Sequence, residues 1–149
     1  MKRAAVCALA VILLMMGGCS GPEVSSDIAE FKFSHRGSST EACYTYHALA
    51  ADNGVEIALE KNAGNDIIKT EADADVLMEL RAIVETYGIN KWDGFDKKSR
   101  RALDGTGFTL YIRFEDGTEI NAAGSNKFPK QYAEAKEAIC VVFEGLTSN

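Results

Sequence analysis

The chain has 149 residues, with 16 Lys and Arg against 22 Asp and Glu, and a formal charge of −6. That length suits one domain with a proper core. The acidic balance argues against a nucleic-acid partner, because phosphate binding needs concentrated Lys and Arg.

Met1-Lys2-Arg3 forms a short positive start, followed by a charge-free apolar run from Ala4 to Met16. A bilayer span needs about 20 apolar residues, so this run reads as a secretory signal rather than a membrane helix. It ends in Met16-Gly17-Gly18-Cys19-Ser20. Small residues at 17 and 18 before a cysteine resemble the lipobox of bacterial lipoproteins, with Met16 where leucine is usual. The resemblance implies that residues 1–18 are a cleaved signal peptide and that Cys19 carries acyl chains such as palmitate. The mature chain would then be anchored in the lipid bilayer on the exported side of the cell membrane. Losing Lys2 and Arg3 takes the formal charge from −6 to −8 over 131 residues. Residues 19–26 are small and polar and read as a tether, reaching at most about 28 Å at ~3.5 Å per residue. Residues 27–149 read as a single domain.

Within that domain, Ile28 to Ser34 alternates, with Ala29, Phe31 and Phe33 against Ile28, Glu30 and Lys32, the pattern of a half-buried strand. His35 to Thr40 is a turn. Cys43 to Ala51 and Val55 to Lys61 follow as strands joined by Asp52-Asn53-Gly54, a hairpin signal that calls for left-handed turn residues. Asn62 to Asn65 turns the chain again, and Asp66 to Thr70 fits a short fourth strand. Val76, Leu77, Leu80, Ile83, Val84 and Tyr87 then form one stripe of a helix. Asp73 is its expected N-cap and Gly88 its stop. Lys97, Lys98, Arg100 and Arg101 read as a solvated basic loop, with contact to anionic headgroups as an alternative. Phe108 to Phe114, Asp116-Gly117 and Thr118 to Ala123 make a second hairpin. Phe128-Pro129 opens a last helix, with Pro at its first position and Tyr132, Ile139, Val142, Phe143 and Leu146 on its apolar face. The order is strands, helix, hairpin, helix. It predicts an α+β fold, an antiparallel sheet of about five to six strands with two helices packed on one face.

Residues 89–130 hold the most distinctive sequence: Ile89-Asn90-Lys91-Trp92-Asp93-Gly94-Phe95, Leu103-Asp104-Gly105, Asp116-Gly117-Thr118 and Gly124-Ser125-Asn126-Lys127-Phe128-Pro129. This succession resembles a family of small uncharacterised lipoproteins of gut-type anaerobic bacteria, over most of the mature chain. The resemblance implies location and fold and brings no established activity. Two readings of these residues stand side by side. In one, Trp92 and Phe95 fold over the sheet edge while Asp93, Asp104 and Asn126 cap nearby amides. In the other, Trp92, Asp93, Asp104 and Asn126 line a shallow recognition site, an aromatic platform with polar neighbours suited to a sugar or peptide.

Of the mature cysteines, Cys43 and Cys140 can make a single disulfide in an oxidising compartment; the alternative is two buried free thiols. His35 and His47 are the only histidines, there is no Cys-x-x-Cys, and no calcium-loop pattern occurs, so no metal or other cofactor is expected. Gly-x-Ser-x-Gly and Gly-rich phosphate loops are also missing from the sequence, and the expectation is a non-enzyme. A catalyst built from His47, Asp93 and Asp104 is the weakest reading. The leading one is a membrane-anchored binding or interaction module of the cell envelope with a glycan, peptide or envelope-protein partner. A structural or accessory subunit of an envelope complex is the alternative.

Overall fold

The computed structural model describes residues 21–99 and 105–147. The signal segment, Cys19 and Asp104 therefore lie outside the described residues. The chain forms β1 (Ile28–Arg36), β2 (Tyr44–Ala51), β3 (Gly54–Lys61), β4 (Asp66–Ala72) and α1 (Asp75–Thr86). It continues with β5 (Phe95–Lys98), β6 (Gly107–Phe114), β7 (Glu119–Ser125) and α2 (Tyr132–Gly145). The strands make one seven-stranded sheet in the order β4-β3-β2-β1-β6-β7-β5. Every pairing is antiparallel except β5 with β7. The fold is α+β, with both helices on one face.

Alternation decides that face. Phe31 and Phe33, Tyr46 and Ala48, Ile57 and Leu59, Leu110 and Ile112, and Ile120 all turn to the helices and are buried. Leu80 and Val84 of α1 and Ala135, Ile139 and Phe143 of α2 close over them, each fully buried. Phe143 stacks on both Tyr46 and Phe31, with ring centroids 4.8 and 6.2 Å away. A fully buried side chain of this size contributes about 1.5–3 kcal/mol, so this layer dominates stability. The core holds no buried polar or charged residue among the described ones.

Several local expectations change. Simple alternation puts Ile28 with Glu30, facing away from Phe31. The structure instead shifts the β1–β6 register between Ile28 and Glu30. This bulge, one extra residue in the ladder, returns Ile28 to the core at 2% exposure. In the first hairpin, positive φ falls on Gly54 (148°) and not on Asp52 or Asn53. Helix α1 starts after Ala74, whose side chain makes no capping bond, and Asp73 contributes its carbonyl to the Val76 N–H instead. Gly88 ends that helix as expected, with φ 61°. Pro129 sits in the turn before α2, and Gln131 in left-handed geometry precedes the first helical residue.

The seventh strand is β5, where the sequence suggests only a basic loop at Lys97 and Lys98. Four residues, three of them charged, are too short and polar to show a strand period. Tertiary pairing with β7 makes the strand: Phe95 lies beside Ala122 and Lys98 beside Ser125. Arg100 and Arg101 lie outside the described residues.

The expected free tether is, from Gly21 onward, docked chain. The Pro22 carbonyl accepts a bond from Asn90 Nδ2 (3.2 Å), and the Asp27 carboxylate meets Arg81 Nη1 of α1 at 2.6 Å. The Asp27 carbonyl accepts the Glu115 N–H (2.9 Å) and Ser26 Oγ accepts the Asp116 N–H (3.2 Å). Val24 packs against the core. At Gly21 a Cβ would lie 1.9 Å from the Asn90 carbonyl oxygen, so only glycine permits this approach. The N-terminal segment thus lies along the helix side of the domain.

Candidate functional site

Of the residues singled out in the sequence, the described ones, Trp92, Asp93 and Asn126, do not form one surface. Trp92 is buried at 3% exposure, against Phe108 (6.1 Å) and Tyr132 (5.9 Å). It is part of the core, which corrects its reading as an exposed aromatic platform. Asp93 Oδ1 accepts the Asn121 N–H (2.9 Å), and the Gly94 N–H returns a bond to the Asn121 carbonyl (2.9 Å). Together these bonds clamp the start of β5 onto β7. Asn126 has φ 54° and donates its N–H to the Thr106 carbonyl (2.8 Å). Its side-chain amide crowds Gly105, where a Cβ would lie 2.6 Å from Nδ2. Asp104 falls outside the described residues.

The expected Cys43–Cys140 disulfide is not formed. Cys43 is extended (φ −100°, ψ 125°) just before β2, and adjacent extended residues point to opposite faces. Tyr44 turns to the helix side, where the Cys140 thiol donates to its hydroxyl at 3.3 Å. Cys43 therefore points away, and its thiol donates to the Ser39 carbonyl at 3.3 Å. Both cysteines are free and half-buried. Burial pushes the Tyr44, Tyr46 and Tyr132 hydroxyls upward, with Cys140 adding to each shift. His35 Nδ1 pairs with Tyr132 Oη (2.9 Å), and burial, then Lys136, lowers its pKa.

A catalytic grouping of His47 with Asp93 is not assembled. His47 lies on β2 and Asp93 is bonded to β7, three strand spacings away, or about 14 Å. Among the described residues, no group of three or more His, Cys, Asp or Glu is close enough to hold a metal.

What the sheet does leave available is its uncovered face. Register lines up residues from all seven strands in one transverse row: Ile67, Glu60, Thr45, Ser34, Thr109, Ala123 and Asp96. The middle four, on adjacent strands, are small. They floor a trough about 14 Å long from Thr45 to Ala123, at ~4.8 Å per strand, with carboxylates at either end. A depression of roughly 700 Å³ on this face follows this row from Glu60 to Asp96. One flank is the parallel row His47, Lys32, Tyr111 and Asn121; the other carries Arg36 and Lys98. Ser34 and Thr45 share a hydrogen bond at 3.0 Å, and Thr109 is exposed.

Beside the trough stands a charge cluster that sequence reading missed. Glu30 reaches His47 Nε2 with one oxygen (3.0 Å) and Arg113 Nη2 with the other (3.3 Å). At 24% side-chain exposure, Glu30 is the most enclosed of the three. Tyr111 donates to Glu119 at 2.8 Å, which raises its pKa. These groups come from β1, β2, β6 and β7, so only register brings them together. The polar half of each alternating strand is the one sequence signal pointing to this face.

No helix among the described residues is long and apolar enough to cross a membrane. A scan against protein-family models finds no match to the chain, and a search of curated proteins finds none either.

Proposed function

We propose that this chain is an exported, lipid-anchored binding module of the cell envelope. In this reading Cys19 is acylated after removal of residues 1–18, and the uncovered sheet face takes an extended glycan or peptide. The observation that carries it is the trough of Thr45, Ser34, Thr109 and Ala123. A row of small side chains between taller polar flanks receives a slender chain laid across the strands. Its hydroxyls and the cations Lys32, Arg36 and Lys98 suit a polar, hydroxyl- or carbonyl-rich ligand. The docked segment from Gly21 shortens the free reach. Only residues 19 and 20 stand between the lipid and the docked chain, about 7 Å at ~3.5 Å per residue. Because that segment lies on the helix side, the trough would face away from the membrane.

Two measurements test this. Membrane fractionation with labelled palmitate should find the wild-type chain acylated and membrane-bound, and Cys19→Ala unlabelled and released; a membrane-bound Cys19→Ala chain overturns the anchor. Envelope glycans and peptides should be captured by the wild-type chain and not by Thr109→Trp, whose indole would fill the trough. Capture that survives this change overturns the trough as the binding surface. A second reading, a subunit of an envelope assembly, draws on Ile67 and Ile68, exposed on opposite faces of edge strand β4 at 58% and 41%.

A further inference from the structure

We infer that β4 is a docking edge for a second copy of this chain, paired antiparallel about a two-fold axis through Thr70. β4 ends the sheet, so the backbone groups on its outer side have no strand partner among the described residues. Proteins usually blunt such edges by making them short, charged or covered. The opposite edge, β5, follows that rule with four residues, Phe95-Asp96-Lys97-Lys98. β4 does so only in part: it has seven residues and exposes Ile67 on the open face and Ile68 on the helix face.

The charges on β4 select the register. Lys69 and Glu71 share the open face and flank Thr70. With Thr70 opposite Thr70 of the second copy, each Lys69 faces a Glu71 and each Ile68 faces an Ala72. Centring the pair on Lys69 instead opposes two lysines, and centring it on Glu71 opposes two glutamates. Like charges directly opposite destabilise a sheet and opposite charges support it. Centring on Ile68 sets each Lys69 against Ile67 and leaves it without a counter-charge. Lys69 thus guards the edge against general pairing while permitting one self-complementary register.

Edge-to-edge antiparallel pairing puts the two-fold axis normal to the sheet, so both helix layers lie on one side. Both docked N-terminal segments emerge on that side too. Two anchored copies could therefore sit in one membrane, where confinement raises their effective concentration; this last point alone rests on the anchored reading.

Cysteine cross-linking tests the register in a Cys43→Ser/Cys140→Ser background, on membranes and with the purified full chain concentrated in detergent. Facing Cα atoms at the axis lie about 4.5–5.5 Å apart, so Thr70→Cys should form a linked dimer under mild oxidation. Ile68→Cys places its pair four residues out of register, about 14 Å apart at ~3.4 Å per residue. It should give at least about tenfold less dimer, being beyond disulfide reach. With Thr70→Cys as reporter, Lys69→Glu or Glu71→Lys should each reduce the dimer, and the two together should restore it. Equal cross-linking at 68 and 70, no cross-linking at 70 in either preparation, or no recovery in the swapped pair overturns the inference. Because the purified chain dimerises without a membrane, loss of the anchor and loss of the dimer are distinguishable.

Discussion

The two faces of this sheet are built from alternate residues of the same strands and have opposite chemistry. On the helix side, Phe31, Phe33, Tyr46 and Leu110 are buried together with Trp92 and Phe143. On the other side, Lys32, Ser34, Thr45, His47, Thr109 and Tyr111 meet solvent in rows set by register. The buried face answers to packing, which tolerates few changes in volume. The open face is under little such constraint, so its small row and charged flanks are available for recognition.

Substitution should separate the two faces. The largest effect belongs to the core: Phe31→Ala or Trp92→Ala should cost about 3–5 kcal/mol, read as a lower urea midpoint. A loss under about 1 kcal/mol for Trp92→Ala would mean that the indole does not belong to the buried layer. Glu30→Gln comes next, because it weakens contacts to both His47 and Arg113. These groups are about a quarter to two-fifths exposed, so about 1 kcal/mol is expected after solvent screening. A double-mutant cycle with Arg113→Ala would show whether the two residues couple. Thr109→Trp should shift stability by no more than about 0.5 kcal/mol while removing ligand capture. Loss of folding in that variant would break the division between a packed face that stabilises the fold and an open face free to vary.

His35 provides the smallest test. Its pKa is lowered in the folded state by burial and by Lys136, so below pH ~6.5 the unfolded chain binds the extra proton more readily. Stability from this group is present above that pH and declines as pH falls through the lowered folded value. Urea midpoints between pH 7.5 and 5 should show this fall, and His35→Phe should flatten it. An unchanged slope in the variant would assign the pH dependence elsewhere.

Much of the framework was legible in the sequence. The 3.6-residue stripe from Val76 to Tyr87 marks α1, the alternation from Phe108 to Phe114 marks β6, and Asp116-Gly117 marks its turn. The candidate site was much less so. Trp92 and Asp93 attract notice because tryptophan is rare and aspartate is polar, yet one fills the core and the other ties β5 to β7. Ser34, Thr45, Thr109 and Ala123 are ordinary residues singly, and only their alignment makes a trough. The Ile28 bulge and β5 were hidden for a related reason: each depends on a partner strand distant in the chain.

Periodicity along the chain by itself determined the α+β class, both helices and, Ile28 apart, which residues of the alternating strands turn inward. The burial preference of each segment is written in its own spacing. Tertiary structure alone decided the strand order, the bulge at Ile28, the separation of Cys43 from Cys140 across β2, and the rows on the open face. Those depend on which carbonyl meets which amide across strands remote in sequence, and a one-residue slip would exchange the faces.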